Sequence, residues 1–133
     1  HGEQLDDRAT EFPRTNNQSW TRAARYSYNP HIAPRSALSF DGLVKYDLLR
    51  GGSEHRAYPE GWLGGEAVFA PRPGAREEDD GWILTALTHP DEPHSELWVL
   101  NGQDFLGEPE ARVVLPWRIP LGFHAEWAPL EIS

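Results

Sequence analysis

The stretch of sequence that decides the fold is GWILTALTHPDEPHSELWVL, residues 81–100. Trp82–Thr88 combines aromatic and β-branched residues, a composition that favours a β-strand. Two prolines between His89 and His94 predict a loop, and residues 96–100 predict the strand that returns. This stretch is therefore expected to form two adjacent antiparallel strands.

Short strands separated by turns continue on both sides of this stretch. Further strands are predicted at residues 26–28, 42–48, 54–58, 66–70 and 111–115. No segment keeps a 3.6-residue apolar period for long, and about seven short strands at these spacings predict an all-β fold of antiparallel meanders. Asn29-Pro30 is expected to close the first strand. The acidic run Glu77–Asp80 is expected to be a solvated turn, because it lacks the spacing of a calcium-binding loop.

Composition excludes several classes of function. The net charge of −9 argues against nucleic acid as a partner, and the absence of cysteine excludes disulfides and thiolate metal sites. No apolar run approaches the roughly 20 residues of a membrane span. No secretory signal is visible, so a cytoplasmic protein is expected.

The chain of 133 residues begins at His1 and contains no methionine, which suggests a piece of a longer polypeptide. A few meanders alone would leave open sheet edges and an exposed core face. We therefore expect residues 1–133 to form a single partial domain that packs against the upstream remainder of the same protein.

Two apolar segments bounded by proline and glycine carry the candidate site. Glu66 is the only carboxylate of GGEAVFAPRPGA, residues 64–75, and His124 lies near the centre of RIPLGFHAEW, residues 118–127. A metal-binding imidazole often has a carboxylate behind it that fixes its tautomer. This setting alone leaves open an ordinary loop histidine and an ordinary carboxylate at the start of a strand.

Five blocks in order along the chain add a resemblance. They are EFPR at residues 11–14, GEAVFAPRP at 65–73, EDDGWIL at 78–84, SELWVL at 95–100 and PLGFH at 120–124. Together they resemble the C-terminal portion of the carotenoid cleavage oxygenase family. That family includes the bacterial lignostilbene dioxygenases, which the chain resembles more closely, and the retinal pigment epithelium isomerase.

The resemblance implies a seven-bladed β-propeller, of which this chain would form the C-terminal blades. It also implies a non-haem Fe(II) on the propeller axis, held by four histidines and supported by three glutamates. By resemblance, His124 is the last iron ligand, Glu66 accepts its ring N–H, and Glu11 is another supporting glutamate. The other ligands would lie upstream. Ala125 stands where the family usually has glycine, which is one departure.

The implied reaction is oxidative cleavage by O2 of a conjugated C=C bond in an apolar carotenoid, apocarotenoid or stilbene, giving two carbonyl products. Phe69, Phe123 and Trp127 are candidates for contact with this substrate. The isolated chain is predicted to be inactive, because one ligand cannot hold iron tightly. The alternative is a non-catalytic β-rich remnant or interaction module. A zinc hydrolase is disfavoured, since the chain has neither cysteine nor a His-Glu-x-x-His motif.

Overall fold

The computed structural model of the protein describes residues 24–32 and 40–119. Within these ranges it contains seven strands, which are β1 Tyr26–Ile32, β2 Phe40–Asp47, β3 Ser53–Ala57, β4 Leu63–Pro71, β5 Gly81–Thr88, β6 Ser95–Asn101 and β7 Ala111–Leu115. Every paired set of strands is antiparallel. The predicted all-β antiparallel fold is therefore confirmed for the described residues. The described residues contain no helix that is long and apolar enough to cross a membrane.

The strands form one sheet in the order β1-β2-β4-β5-β6-β7, with β3 paired to β2. The connection between β2 and β4 is a single pair, Phe40 with Gly64. The sheet therefore consists of two meanders, and we call β1–β3 the first meander and β4–β7 the second meander.

The two meanders pack face to face, and the core lies between them. Tyr28 of β1 stacks on Phe69 of β4 with ring centroids 5.6 Å apart, and Tyr58 meets Trp98 of β6 edge-on at 6.2 Å. Such aromatic pairs contribute about 0.5–1.5 kcal/mol beyond their burial. Side chains alternate along β5, so that Ile83, Thr85 and Leu87 are directed toward this core. Alternate residues of the second meander lie on its opposite face.

The first strand does not end where the sequence predicted. β1 continues through Asn29-Pro30 to Ile32, and Pro30 lies opposite Leu43. Proline has no N–H for the ladder and is tolerated where a strand has a neighbour on one side only. Among the described strands β1 is at the end of the sheet, which explains why Pro30 fits there.

The acidic run between β4 and β5 is a turn, as predicted, and Glu77 is exposed, but the prediction that the whole run is solvated was wrong. The Glu78 carboxylate accepts hydrogen bonds from the backbone N–H groups of Arg25 and Tyr26, at 2.9–3.0 Å. The Asp79 carboxylate accepts one from the Lys45 ammonium at 2.9 Å. Lys45 is only 7% exposed, and a buried ammonium needs an anionic partner. The run therefore links the second meander to the first.

Candidate functional site

Glu66 lies in a β-bulge near the start of β4. Gly64 is paired with Leu87 and Ala67 with Thr85, so two residues of β4, Gly65 and Glu66, lie opposite one residue of β5. The sequence predicted a strand starting at Glu66, whereas β4 begins three residues earlier at Leu63. Bulges re-aim a side chain relative to the regular pleat and are enriched beside active sites. The Glu66 side chain is buried, at 8% exposure.

Two residues that the sequence reasoning missed hold this bulge. The Thr85 hydroxyl donates a long hydrogen bond of 3.4 Å to the backbone carbonyl of Glu66. The Tyr58 ring lies on the backbone of Gly64, where an added Cβ would be 2.7 Å from its Cε2 atom. The adjacent glycines at 64 and 65 were the sequence signal for this bulge, because glycine within a strand often marks a bulge or a close backbone approach.

Tyr58 is anchored from the first meander. Its backbone N–H donates to the Asp41 carbonyl at 2.9 Å, and its side chain is buried. Burial raises the pKa of the Tyr58 phenol, while the nearby Thr85 hydroxyl acts in the opposite direction. Among the described residues the phenol oxygen has no hydrogen-bond partner of good geometry. Tyr58 is therefore a neutral side chain that contributes shape at the bulge.

A second arrangement lies at the same end of the second meander. The hydroxyls of Thr88 and Ser95 are 2.6 Å apart, and we call these two residues the hydroxyl pair. Thr88 Oγ1 donates to the carbonyl of Ile119 at 3.0 Å, and the Ile119 N–H donates to Ser95 Oγ at 2.7 Å. The Ser95 N–H also donates to the Trp117 carbonyl at 3.0 Å. The chain that follows β7 is thus bound back onto the ends of β5 and β6.

The structure locates two of the predicted site residues. Glu66 is in the bulge, and Phe69 is 4% exposed, with its ring in the core against Tyr28. The others, Glu11, Phe123, His124 and Trp127, lie outside the described residues. Their roles, and that of Glu66, remain predictions.

The described residues do not form a metal site on their own. Within residues 24–32 and 40–119 no group of three or more His, Cys, Asp or Glu side chains could hold a metal ion. His89 and His94 instead lie beside the Trp62 ring, at 5.4 and 6.0 Å between centroids. A metal site with three or more such ligands would therefore need residues from outside these ranges.

Comparisons with known proteins agree with one another. Residues 1–129 match the family described as retinal pigment epithelial membrane protein, RPE65. The chain is 38% identical over 130 residues to a carotenoid cleavage oxygenase of Mycobacterium tuberculosis, covering 93% of this chain and 25% of that protein. It is 35% identical over 123 residues to the apocarotenoid-15,15'-oxygenase of Synechocystis, covering 91% and 25%. It is 31% identical over 134 residues to the isoeugenol monooxygenase of Pseudomonas nitroreducens, covering 94% and 28%.

Solved structures agree with the sequence relatives. The crystal structure of cobalt-substituted Synechocystis apocarotenoid oxygenase superposes with a TM-score of 0.85 at 34% identity, covering 95% of this chain and 26% of that one. The chain spans about a quarter of the length of the curated relatives that it matches. A family match over nearly all of the chain and a matching fold lead to one conclusion. The chain belongs to the RPE65 family, whose relatives named here include carotenoid and apocarotenoid cleavage oxygenases.

Proposed function

We propose that this chain is the C-terminal part of a non-haem Fe(II) dioxygenase that cleaves a conjugated C=C bond to two carbonyl products. The observation that carries the proposal is the position of Glu66, buried at a bulge in a chain related to carotenoid cleavage oxygenases. The bound iron would supply the activation of O2. The residues of this chain would orient one ligand of the iron and help to keep water away from it.

The proposed work of Glu66 is to accept the ring N–H of His124. A carboxylate behind a ligating imidazole fixes its tautomer and orientation and raises its basicity. Four neutral imidazoles would leave the metal charge uncompensated, and Glu66 with Glu11 would offset part of it. Removing a carboxylate from water is costly unless donors or opposite charges compensate for it. The burial of Glu66 therefore supports a specific hydrogen-bond donor to its carboxylate, and the ring N–H of His124 is the proposed one.

The connection from Ile119 to His124 is long enough for this contact. Ile119 is held at Thr88, and Ala86, two residues along β5, is the residue opposite the bulge. Two residues of strand span about 7 Å. His124 is five residues beyond Ile119, and five residues reach at most about 18 Å when fully extended. Chain length thus permits His124 to reach the Glu66 carboxylate.

The rest of the proposed enzyme lies upstream. The chain spans about a quarter of its relatives, so three more histidine ligands and one more glutamate are expected in the preceding sequence. In this proposal the two meanders are C-terminal blades of a seven-bladed propeller, and residues 1–133 are one partial domain. Half-buried apolar residues on the opposite face of the second meander, such as Leu84, Leu97 and Val99, are suited to packing against a neighbouring blade.

The proposed substrate is a carotenoid, an apocarotenoid or a stilbene. Relatives named for carotenoid and apocarotenoid cleavage support the first two, and a relative named for isoeugenol supports a phenolic compound. Phe123 and Trp127 are proposed to contact the apolar substrate. The Phe69 ring is buried against Tyr28. Phe69 is therefore proposed to support the wall of the substrate pocket from the core side.

The test uses the full-length protein that contains this chain. Purified with iron, it is expected to cleave an apocarotenoid or a stilbene with uptake of O2, measured by loss of polyene or stilbene absorption and by mass spectrometry of both carbonyl products. His124→Ala is expected to abolish stoichiometric iron. Glu66→Gln is expected to weaken iron binding by about 10–100-fold. The matched control is Glu60→Gln, which makes the same change at an exposed carboxylate.

Two results would contradict the proposal. One is wild-type iron affinity and turnover in Glu66→Gln. The other is stoichiometric iron in the isolated 133-residue chain, which is predicted to be inactive and to bind metal weakly at best.

A further inference from the structure

The hydroxyl pair holds both backbone groups of one residue. Ile119 donates its N–H to Ser95 Oγ at 2.7 Å and accepts at its carbonyl from Thr88 Oγ1 at 3.0 Å. Thr88 must use its single proton on that carbonyl, so the 2.6 Å contact between the hydroxyls requires Ser95 to donate to Thr88. The three hydrogen bonds therefore form a closed ring with a single proton arrangement.

The hydroxyl side of this ring is protected from water. Ser95 is 0% exposed and Thr88 is 7% exposed. Hydrogen bonds in a buried, fully satisfied network are stronger than their exposed counterparts, and removing one partner leaves a desolvated group unpaired. A further bond, from the Ser95 N–H to the Trp117 carbonyl at 3.0 Å, extends the attachment by two residues. The path of the chain over residues 117–119 is thus determined by Thr88 and Ser95.

The ring also lies beside the candidate site. Thr88 shares a face of β5 with Ala86, because side chains at i and i+2 of a strand point the same way. Ala86 is the residue opposite the Gly65–Glu66 bulge. Ile119 is therefore attached two residues along β5, about 7 Å, from the position opposite the bulge, and it precedes His124 by five residues in sequence.

We infer that Thr88 and Ser95 are positioning residues, which set where the His124 segment departs from the sheet and so hold that imidazole against Glu66. This inference rests on the proposed function. It adds two residues that do not touch the metal, the substrate or O2, and that act through the backbone of Ile119.

The experiment uses full-length, iron-loaded protein and four variants, one of which, Ser95→Ala, removes the second hydroxyl of the pair. Thr88→Val keeps the shape of the side chain and removes its hydroxyl. Thr88→Ser keeps the hydroxyl and serves as the conservative rescue. Ser27→Ala removes another buried hydroxyl, one that donates to Asn29 in the first meander, and is the control. The readouts are the rate of iron release to a chelator and hydrogen–deuterium exchange of the peptide that contains Ile119, the latter measured in both metal-free and iron-loaded protein.

Thr88→Val is expected to release iron about tenfold faster, at the lower end of the effect of groups that orient a ligand. In the metal-free form of this variant, the amide hydrogens of the peptide that contains Ile119 are also expected to exchange faster than in wild type. Thr88→Ser and Ser27→Ala should match wild type in both readouts. Ser95→Ala should behave like Thr88→Val, and if it does not fold, Thr88→Val carries the test.

The outcomes separate the two proposals. If wild-type protein binds no iron, or if His124→Ala retains it, the proposed function fails. If wild-type protein holds iron through His124 but Thr88→Val releases it at the wild-type rate, this inference alone is overturned. Unchanged exchange of the Ile119 peptide in Thr88→Val overturns it as well, without reference to the metal.

Discussion

The Tyr58 ring lies on the backbone of Gly64, so closely that a methyl group on Gly64 would be 2.7 Å from Tyr58 Cε2 and 3.0 Å from its hydroxyl oxygen. Tyr58 follows β3 of the first meander and Gly64 immediately precedes the bulge in β4. One aromatic side chain therefore couples the packing of the two meanders to the local geometry of the strand that carries Glu66.

Gly64→Ala tests this contact. The new methyl would force the Tyr58 ring or the β4 backbone to move, because contacts under 3.0 Å are not tolerated. Overpacking of this kind costs about 1–3 kcal/mol. We expect a lower midpoint of thermal unfolding, measured by calorimetry, together with faster iron release from the full-length protein. Gly74→Ala is the control: its φ of +78° makes alanine strained, but no atom lies within 4 Å, so its iron release should be unchanged. A Gly64→Ala variant as stable as wild type would contradict the close packing.

Thr85→Val tests the hydrogen bond within the bulge. Valine reproduces the shape of this 1%-exposed side chain but leaves the Glu66 carbonyl without the Thr85 donor. The expected loss in the free energy of unfolding is about 1 kcal/mol, read from urea denaturation. Iron release from the full-length protein should also accelerate. Thr85→Ser retains the hydroxyl and should release iron at the wild-type rate. Equal release from the Val and Ser variants would show that the hydroxyl has no part in holding Glu66.

Lys45→Met tests the link between the acidic run and the first meander. The Lys45 ammonium bonds Asp79 at 2.9 Å and the Gly102 carbonyl at 2.7 Å, and it also lies 4.4 Å from the Tyr26 ring centroid. Removing one member of a buried ion pair costs about 3–5 kcal/mol. We expect a loss of about 3 kcal/mol in the free energy of unfolding, measured by chemical denaturation.

The control for Lys45 is Arg72→Met. Arg72 pairs with Asp80 at 2.9 Å and lies 4.4 Å from the Trp82 ring centroid, but its side chain is 43% exposed. Exposed ion pairs contribute about 0–1 kcal/mol, so this variant should lose much less stability. The double variant Lys45→Met/Asp79→Asn should cost less than the sum of its single variants, since it leaves no buried charge unpaired. Equal losses in the free energy of unfolding from Lys45→Met and Arg72→Met would contradict the conclusion that burial makes the Lys45–Asp79 pair the more important of the two.

Asp47 predicts a dependence of stability on acid pH. Hydrogen bonds from the Arg25 guanidinium, and from the backbone N–H of Arg50, hold the pKa of the Asp47 carboxyl well below its usual value. A carboxyl whose pKa is depressed by folding stabilises the protein above its unfolded pKa, about 4, and this contribution declines as the pH falls toward the folded pKa. Asp47→Asn removes the titrating group. Its unfolding midpoint should therefore fall less than that of wild type between neutral pH and about pH 3. Parallel decreases in both proteins would contradict the prediction.

Local sequence patterns located most of the strands. The final strand, residues 111–115, was predicted with the bounds that the structure shows, because the turn region before Ala111 and Pro116 after Leu115 delimit it. Pro30 misled the prediction of β1, since whether a strand tolerates proline depends on which of its edges has a neighbour. The acidic run was expected to be solvated because Lys45, which pairs with Asp79, is distant in the chain.

The candidate site divides in the same way. Glu66 was selected from the sequence as the one carboxylate of an apolar segment, and the structure describes it as buried. The bulge around it, the Tyr58 ring and the Thr85 hydroxyl were not predictable, because each depends on the register between strands. The hydroxyl pair was not predicted for a related reason. Thr88 and Ser95 acquire a role only when the chain at Ile119 packs against them.

The sequence by itself determined the all-β class, the approximate strands, the family resemblance and the choice of Glu66 and His124 as candidates, because side-chain alternation and ordered motifs are local properties of the chain. Only the tertiary structure decided the packing of two meanders around Tyr28 and Phe69, the bulge at Glu66 and the binding of Ile119 to the hydroxyl pair. These features require residues far apart in sequence to meet, and a one-residue change of register is enough to create or remove them.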